Sequence, residues 1–210
     1  MVILPTAYIG NIQYYGKLLS GEAVIELHEH YQKQSFRNRC AILSANGPIT
    51  LSVPVHKTSG KKTPIRDVRI DYLRAWQHQH WMSIVSAYRN SPYFAEYEDD
   101  MIYFYEKRYE FLIDLNFDLQ DKMLGLLGVN PPIAFTDRYE KEYGPEILDL
   151  RQGLSDKTRL HRADPGFTPV SYYQVFSEKM DFVPNLSILD LLCCEGPGTV
   201  DTLRAAATPN

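Results

Sequence analysis

The sequence predicts an α/β protein: an N-terminal strand-helix unit with a small mixed sheet, followed by a mainly helical middle and a C-terminal part of strand and helix. Three observations predict it. Short apolar runs separated by turn signals fill the first 55 residues, apolar residues recur at helical spacing from Asp71 to Gly128, and a helix-capping pattern returns near the end. A chain of 210 residues suits one domain burying roughly 70% of its unfolded surface. The expected parts are 1–70 (α/β), 71–130 (helical), 131–170 (an irregular connection) and 171–207 (strand and helix).

Val2 to Leu4 is the first apolar run, stopped by Pro5-Thr6. Ile9, Ile12, Tyr15, Leu18 and Leu19 then mark one face of an amphipathic helix, with Gly21 just past its end. Ala23 to Leu27, Cys40 to Ser44 and Ile49 to Val55 are further strand-like runs, the last two joined by Ala45-Asn46-Gly47-Pro48, where Asn-Gly signals a hairpin. His56 to Pro64 is basic and polar and reads as a surface loop, with closure over a ligand as the alternative. Its Gly60-Lys61-Lys62-Thr63 is not a phosphate-binding loop, because Val55 stands where the first glycine belongs. Helices are expected over 71–89, 95–115 and 118–127, ending at Gly128 before Pro131-Pro132. Phe135 to Asp164 carries no clear pattern. Ser187-Ile-Leu-Asp190 matches a capping box in its Asp form, opening a helix that stops at Gly196-Pro197.

The net charge of −4 hides an asymmetry: residues 1–70 carry +5, residues 71–150 carry −8, and residues 151–210 carry −1. A basic third beside an acidic middle suits a small anionic ligand and disfavours nucleic acid, which prefers a continuous basic face. Three cysteines, two of them adjacent at 193 and 194, make a poor disulfide framework and suit a reducing cytoplasm. The first residues carry no basic leader and no apolar run approaches the ~18 residues of a membrane span, so no membrane partner is expected. Aromatic helices leave a homodimer open, and no cofactor is indicated.

Polarity is concentrated in Tyr31-Gln-Lys-Gln-Ser-Phe-Arg-Asn-Arg39, which places Lys33, Arg37 and Arg39 within seven residues around Asn38. Guanidinium forks match carboxylate and phosphate, and Asn38 adds a donor and an acceptor; an ordinary edge strand paired with acidic helices is the competing reading. Trp76, His80, Ile84 and Tyr88 share one helix face, placing His80 among aromatic groups. It is a candidate general acid or base, against the alternative of a core histidine bonded to a carbonyl. His28 and His30 would share a strand face, but two ligands are not a metal site, and His78 and His80 lie about 200° apart on a helix. No metal is expected. Asp99-Asp100 reads as a solvated face, and Cys40 as a small buried hydrophobe.

The Lys33–Arg39 segment, Gly47-Pro48 followed by Leu51-Ser-Val-Pro-Val55, and Val68-Arg-Ile-Asp71 together resemble the WbqC-like proteins of bacteria. The resemblance continues through Trp76, His80, Tyr88, Pro92-Tyr-Phe94, the run from Phe182 to Leu192, and Gly196. It implies an α/β cytoplasmic protein tied to O-antigen or other surface-polysaccharide synthesis. The family's opening, Gln-Pro-x-Tyr-Leu-Pro-Trp, is here Leu4-Pro-Thr-Ala-Tyr-Ile-Gly10, keeping Pro5 and Tyr8; a later glycine-rich Tyr-Leu-Ser-Gly segment is missing. The resulting expectation is a transferase acting on an anionic, nucleotide-activated sugar or acyl donor. Lys33, Arg37 and Arg39 would hold the anion, Asn38, Tyr8 and Trp76 would orient the substrate, and His80 would exchange the proton. The alternative is a non-catalytic ligand-binding or scaffold protein of the same pathway.

Overall fold

Residues 1–56, 62–152, 154 and 164–207 are described by a computed structural model, a mixed α/β fold. The apolar run at the N-terminus forms β1 (Val2–Leu4), and the chain crosses through α1 (Ile12–Leu19) to β2 (Ala23–Ile25), which lies parallel to β1. A hairpin follows: β3 (Arg39–Ser44) pairs antiparallel with β4 (Gly47–Ser52). Three helices make the middle: α2 (Trp76–Tyr88), α3 (Phe94–Glu106) and α4 (Leu112–Leu126). Two short strands, β5 (Ala134–Phe135) and β6 (Leu148–Asp149), precede the closing helices α5 (Ile188–Glu195) and α6 (Thr199–Ala206).

The parallel sheet runs β5-β2-β1-β6. The parallel strands and the antiparallel hairpin form separate sheets. The segment 131–170, expected as an irregular connection, supplies both outer strands, in register Val24↔Ala134 and Val2↔Leu148. Each of these strands is only two residues long, so no alternation exists for a pattern to reveal. In the hairpin, the two linking residues are Ala45 and Asn46, while Gly47, at φ 109, opens β4.

β2 stops two residues earlier than its apolar run. The Glu26 carboxylate accepts from the His28 N–H (2.7 Å) and the Thr136 hydroxyl accepts from the Leu27 N–H (3.2 Å), so side chains take over from the ladder. His28 and His30 consequently share no strand face; the His28 ring contacts the Thr136 carbonyl and Arg66. Among the described residues no three potential ligands gather to hold a metal.

The helix boundary expected at 115–118 lies instead at 107–111. There the Tyr72 hydroxyl donates to the Tyr109 carbonyl (3.0 Å) and accepts the Tyr109 N–H (2.9 Å), satisfying a backbone outside any helix. Near the end, Ser187 caps α5 as expected, its hydroxyl accepting from the Leu189 N–H, and Gly196 at φ 52 stops the helix. Asp190 does not complete the capping box. It is buried and accepts from the hydroxyls of Tyr88 (2.8 Å) and Tyr172 (2.6 Å), pinning the chain after residue 170 to the core. No helix among the described residues is long and apolar enough to cross a membrane. Most of the basic loop after His56, residues 57–61, lies outside the described residues.

Candidate functional site

In an open parallel sheet, ligands bind beyond the carboxyl ends of the strands, where neighbouring connections leave in opposite directions. Here that point lies between β1, whose chain crosses to β2, and β6 on its other side. A crevice occupies it, lined by Pro5 after β1, by Arg151, Gln152 and Leu154 after β6, and by the Gln32–Arg37 loop. Its volume is about 30 Å³. The basic segment singled out in the sequence thus folds over the place where the sheet topology puts a ligand.

Two buried ion networks build the crevice wall. Arg37 is 1% exposed and clasps Glu29 through Nε (2.6 Å to Oε1) and a terminal nitrogen to Oε2, with a further bond to the Arg151 carbonyl at 3.2 Å. Burial pushes the Glu29 carboxyl above its ordinary value, and the charge and hydrogen bonds of Arg37 oppose that rise. Arg151 grips Asp149 with Nε (2.9 Å) and a terminal nitrogen (2.7 Å), reaches Glu26 at 3.3 Å, and bonds the Glu140 carbonyl at 2.8 Å. Glu26, Glu29, Asp149 and Arg151 are functional candidates that sequence reasoning missed. Glu26 lies within the apolar run Ala23 to Leu27 and Glu29 between two histidines, and Arg151 is 125 residues from Glu26, so no local pattern links them.

The structure distributes the predicted site residues over three places. Lys33 and Arg37 line the crevice; Lys33 is exposed and forms no ion pair among the described residues. Asn38 is buried behind the loop, donating to the Val53 carbonyl at 2.8 Å, and its Oδ1 has no partner among the described residues. Arg39 lines a second, smaller cavity with Phe36, Cys40 and Thr50. Burial raises the Cys40 thiol well above its ordinary value, so it carries no thiolate there.

Tyr8, Trp76 and His80 meet in the core and not at the crevice. The Tyr8 hydroxyl lies 2.9 Å from His80 Nδ1 and 3.1 Å from the Tyr105 hydroxyl, and the Trp76 ring stands edge-on to His80 at 5.1 Å. His80 is 6% exposed, and burial lowers its pKa from 6.5 to about 4, with a Ser52 backbone bond opposing, so the ring is neutral at pH 7. The cluster connects to the loop through the backbone: the Tyr8 N–H donates to the Phe36 carbonyl at 2.9 Å. His80 therefore does not share a pocket with Arg37 or Asn38.

Nucleotide-binding α/β folds place phosphates at the N-terminus of the first helix, on its free amides. In this chain those amides are used. The Ile12 N–H donates to the Leu186 carbonyl (3.0 Å), the Gln13 N–H to Asn185 Oδ1 (2.9 Å) and the Tyr14 N–H to Asn11 Oδ1 (2.9 Å). The turn before α1 is held in the same way: Ile9 sits at φ 42, and the Ser187 hydroxyl donates to its carbonyl at 3.0 Å.

Comparison with known proteins follows from this geometry. The family model described as "WbqC-like protein family" matches residues 6–164, a span holding every crevice residue except Pro5. The uncharacterised protein Rv1507c of Mycobacterium tuberculosis (strain ATCC 25618 / H37Rv) is 29% identical over 205 residues, covering 87% of this chain and 87% of that protein. No solved structure matches the chain.

Proposed function

We propose that this chain, which belongs to the WbqC-like protein family, binds a small anionic metabolite of surface-polysaccharide precursor metabolism in the crevice between β1 and β6 and acts on it as a cytoplasmic transferase. One observation carries the reading: the basic loop lies over the carboxyl ends of the sheet, with Lys33 unpaired among the described residues. Lys33 is the contact to the anion. Arg37 is a positioning residue, since Glu29 and the Arg151 carbonyl occupy its donors and through them hold the loop. Tyr8 and Asn38 act on the loop from behind, through the Phe36 carbonyl and the Val53 carbonyl, and Trp76 packs the histidine that fixes Tyr8. Three free, buried cysteines suit a reducing compartment.

The second reading, a binding or scaffold protein without turnover, is favoured by the burial of His80. A thermal-shift screen of anionic metabolites tests the site itself: a ligand at a hundred times its Kd stabilises by about 2.7 kcal/mol, and the shift should vanish in Lys33→Ala. A shift unchanged in that variant would remove the crevice from consideration. With the ligand in hand, product analysis of the wild type separates the two readings. A transferase converts the ligand in the presence of an acceptor, and that turnover falls in Lys33→Ala, whereas a binding protein returns the ligand unchanged.

A further inference from the structure

Resting on the crevice being the ligand site, we infer that it receives a single carboxylate, the acidic end of a sugar acid or acyl compound, and not a nucleoside diphosphate. Charge is the first reason. Of the cations at the crevice, Arg37 is neutralised by Glu29 and Arg151 by Asp149 and Glu26, which leaves Lys33 as the unpaired side-chain cation there among the described residues. One unpaired cation, beside ion networks whose carboxylates already balance the other charges, matches a carboxylate and falls short of a diphosphate, which calls for several cations or a metal.

The donors are the second reason. Around the crevice, the backbone N–H groups of Lys33, Ser35, Phe36 and Arg37 donate to no backbone acceptor among the described residues. Gln34 between them is in the left-handed region (φ 59), the conformation that turns successive N–H groups into an anion-binding concavity. The loop is held in that shape from below by the Arg37–Glu29 clasp and from within by the Ser35 hydroxyl, which donates to the Gln32 carbonyl at 2.7 Å.

Space is the third reason. A volume of about 30 Å³ is space for about two water molecules, room for a carboxylate group and too little for a pyrophosphate. The alternative diphosphate position, the α1 N-terminus, is filled by Asn11, Asn185 and Leu186. The body of the metabolite then lies outward, past the exposed Lys33.

Titration of the isotope-labelled full chain with acetate and with pyrophosphate, against chloride at equal ionic strength, tests this by amide NMR. The expected result is a saturable acetate shift at the Lys33, Ser35, Phe36 and Arg37 amides, weakened about tenfold in Lys33→Gln, as for the loss of one charge-assisted bond. Pyrophosphate should bind those amides more weakly than acetate. Tighter pyrophosphate binding at the same amides overturns the carboxylate assignment and leaves the crevice as an anion site. No saturable shift there with either anion overturns the crevice reading itself.

Discussion

Glu29 and Arg37 stand eight residues apart, and their pairing decides the shape of everything between them. A buried ion pair is not by itself a large source of stability, because both ions lose their hydration, but removing one partner strands the other. Arg37→Met should therefore cost about 3–5 kcal/mol in urea unfolding, while Glu29→Leu combined with Arg37→Met should recover most of that loss. A double variant as unstable as the single would mean that the two side chains are not coupled. His80 gives the second residue-level prediction, in pH. Its folded pKa, about 4, lies below the ordinary 6.5, so folding favours the neutral ring. The associated stability is complete above pH 6.5 and is lost as pH falls toward 4, a change of about 3 kcal/mol. Glu29 and Asp190, both raised by burial, act with the opposite sign, gaining stability on acidification. The comparison of wild type with His80→Gln isolates the histidine: the variant's stability should fall less steeply between pH 6.5 and 4. Parallel profiles would refute the buried, neutral assignment.

At the scale of elements, the break between α3 and α4 rests on one phenol. Tyr72→Phe removes the donor and the acceptor that satisfy the Tyr109 backbone, and should cost about 1–3 kcal/mol. Amide exchange at Tyr109 should accelerate while the interior amides of α3 and α4 stay protected; unchanged exchange would place the cause of the break elsewhere. No helix-breaking residue marks that boundary in the sequence, because Lys107-Arg108-Tyr109-Glu110 contains neither Gly nor Pro, and so the periodicity ran through it. Where local chemistry decides, the sequence was legible: Ser187 and Gly196 bound α5, and the run Ala23 to Leu27 reads as a strand, of which Ala23–Ile25 forms β2. The candidate site was half legible on the same grounds. Lys33 and Arg37 announce themselves by composition, whereas Arg151 acquires its meaning only from Glu26, Asp149 and the Glu140 carbonyl, which the fold brings to it. Trp76 and His80 share a helix face in the sequence, but Tyr8, expected beside Asn38 at the anion, joins them only through the fold.

The whole molecule depends on joining its first 25 residues to strands that arrive more than a hundred residues later. β6 touches β1 over only two residue pairs, too little ladder to hold an edge strand by itself. Arg151 supplies what the ladder lacks: beside its carboxylate partners it bonds the Glu140 carbonyl (2.8 Å) and the Lys141 carbonyl (3.4 Å), and its own carbonyl receives Arg37. Replacing it strands Glu26, which is fully buried. Arg151→Met is thus expected to lower global stability by about 3–5 kcal/mol, the cost of an uncompensated buried charge. The regional effect distinguishes this hub from a generic core residue. Hydrogen exchange should show the amides of Leu148 and Leu150, which donate to the Met1 and Ile3 carbonyls, losing protection first, ahead of α2 and α3. Arg151→Lys should rescue little, because a point charge cannot meet acceptors on four sides as the planar fork does. If the lysine variant regained wild-type protection at Leu148 and Leu150, charge alone would hold β6, and the fork geometry at the crevice floor would carry no weight in assembling the site.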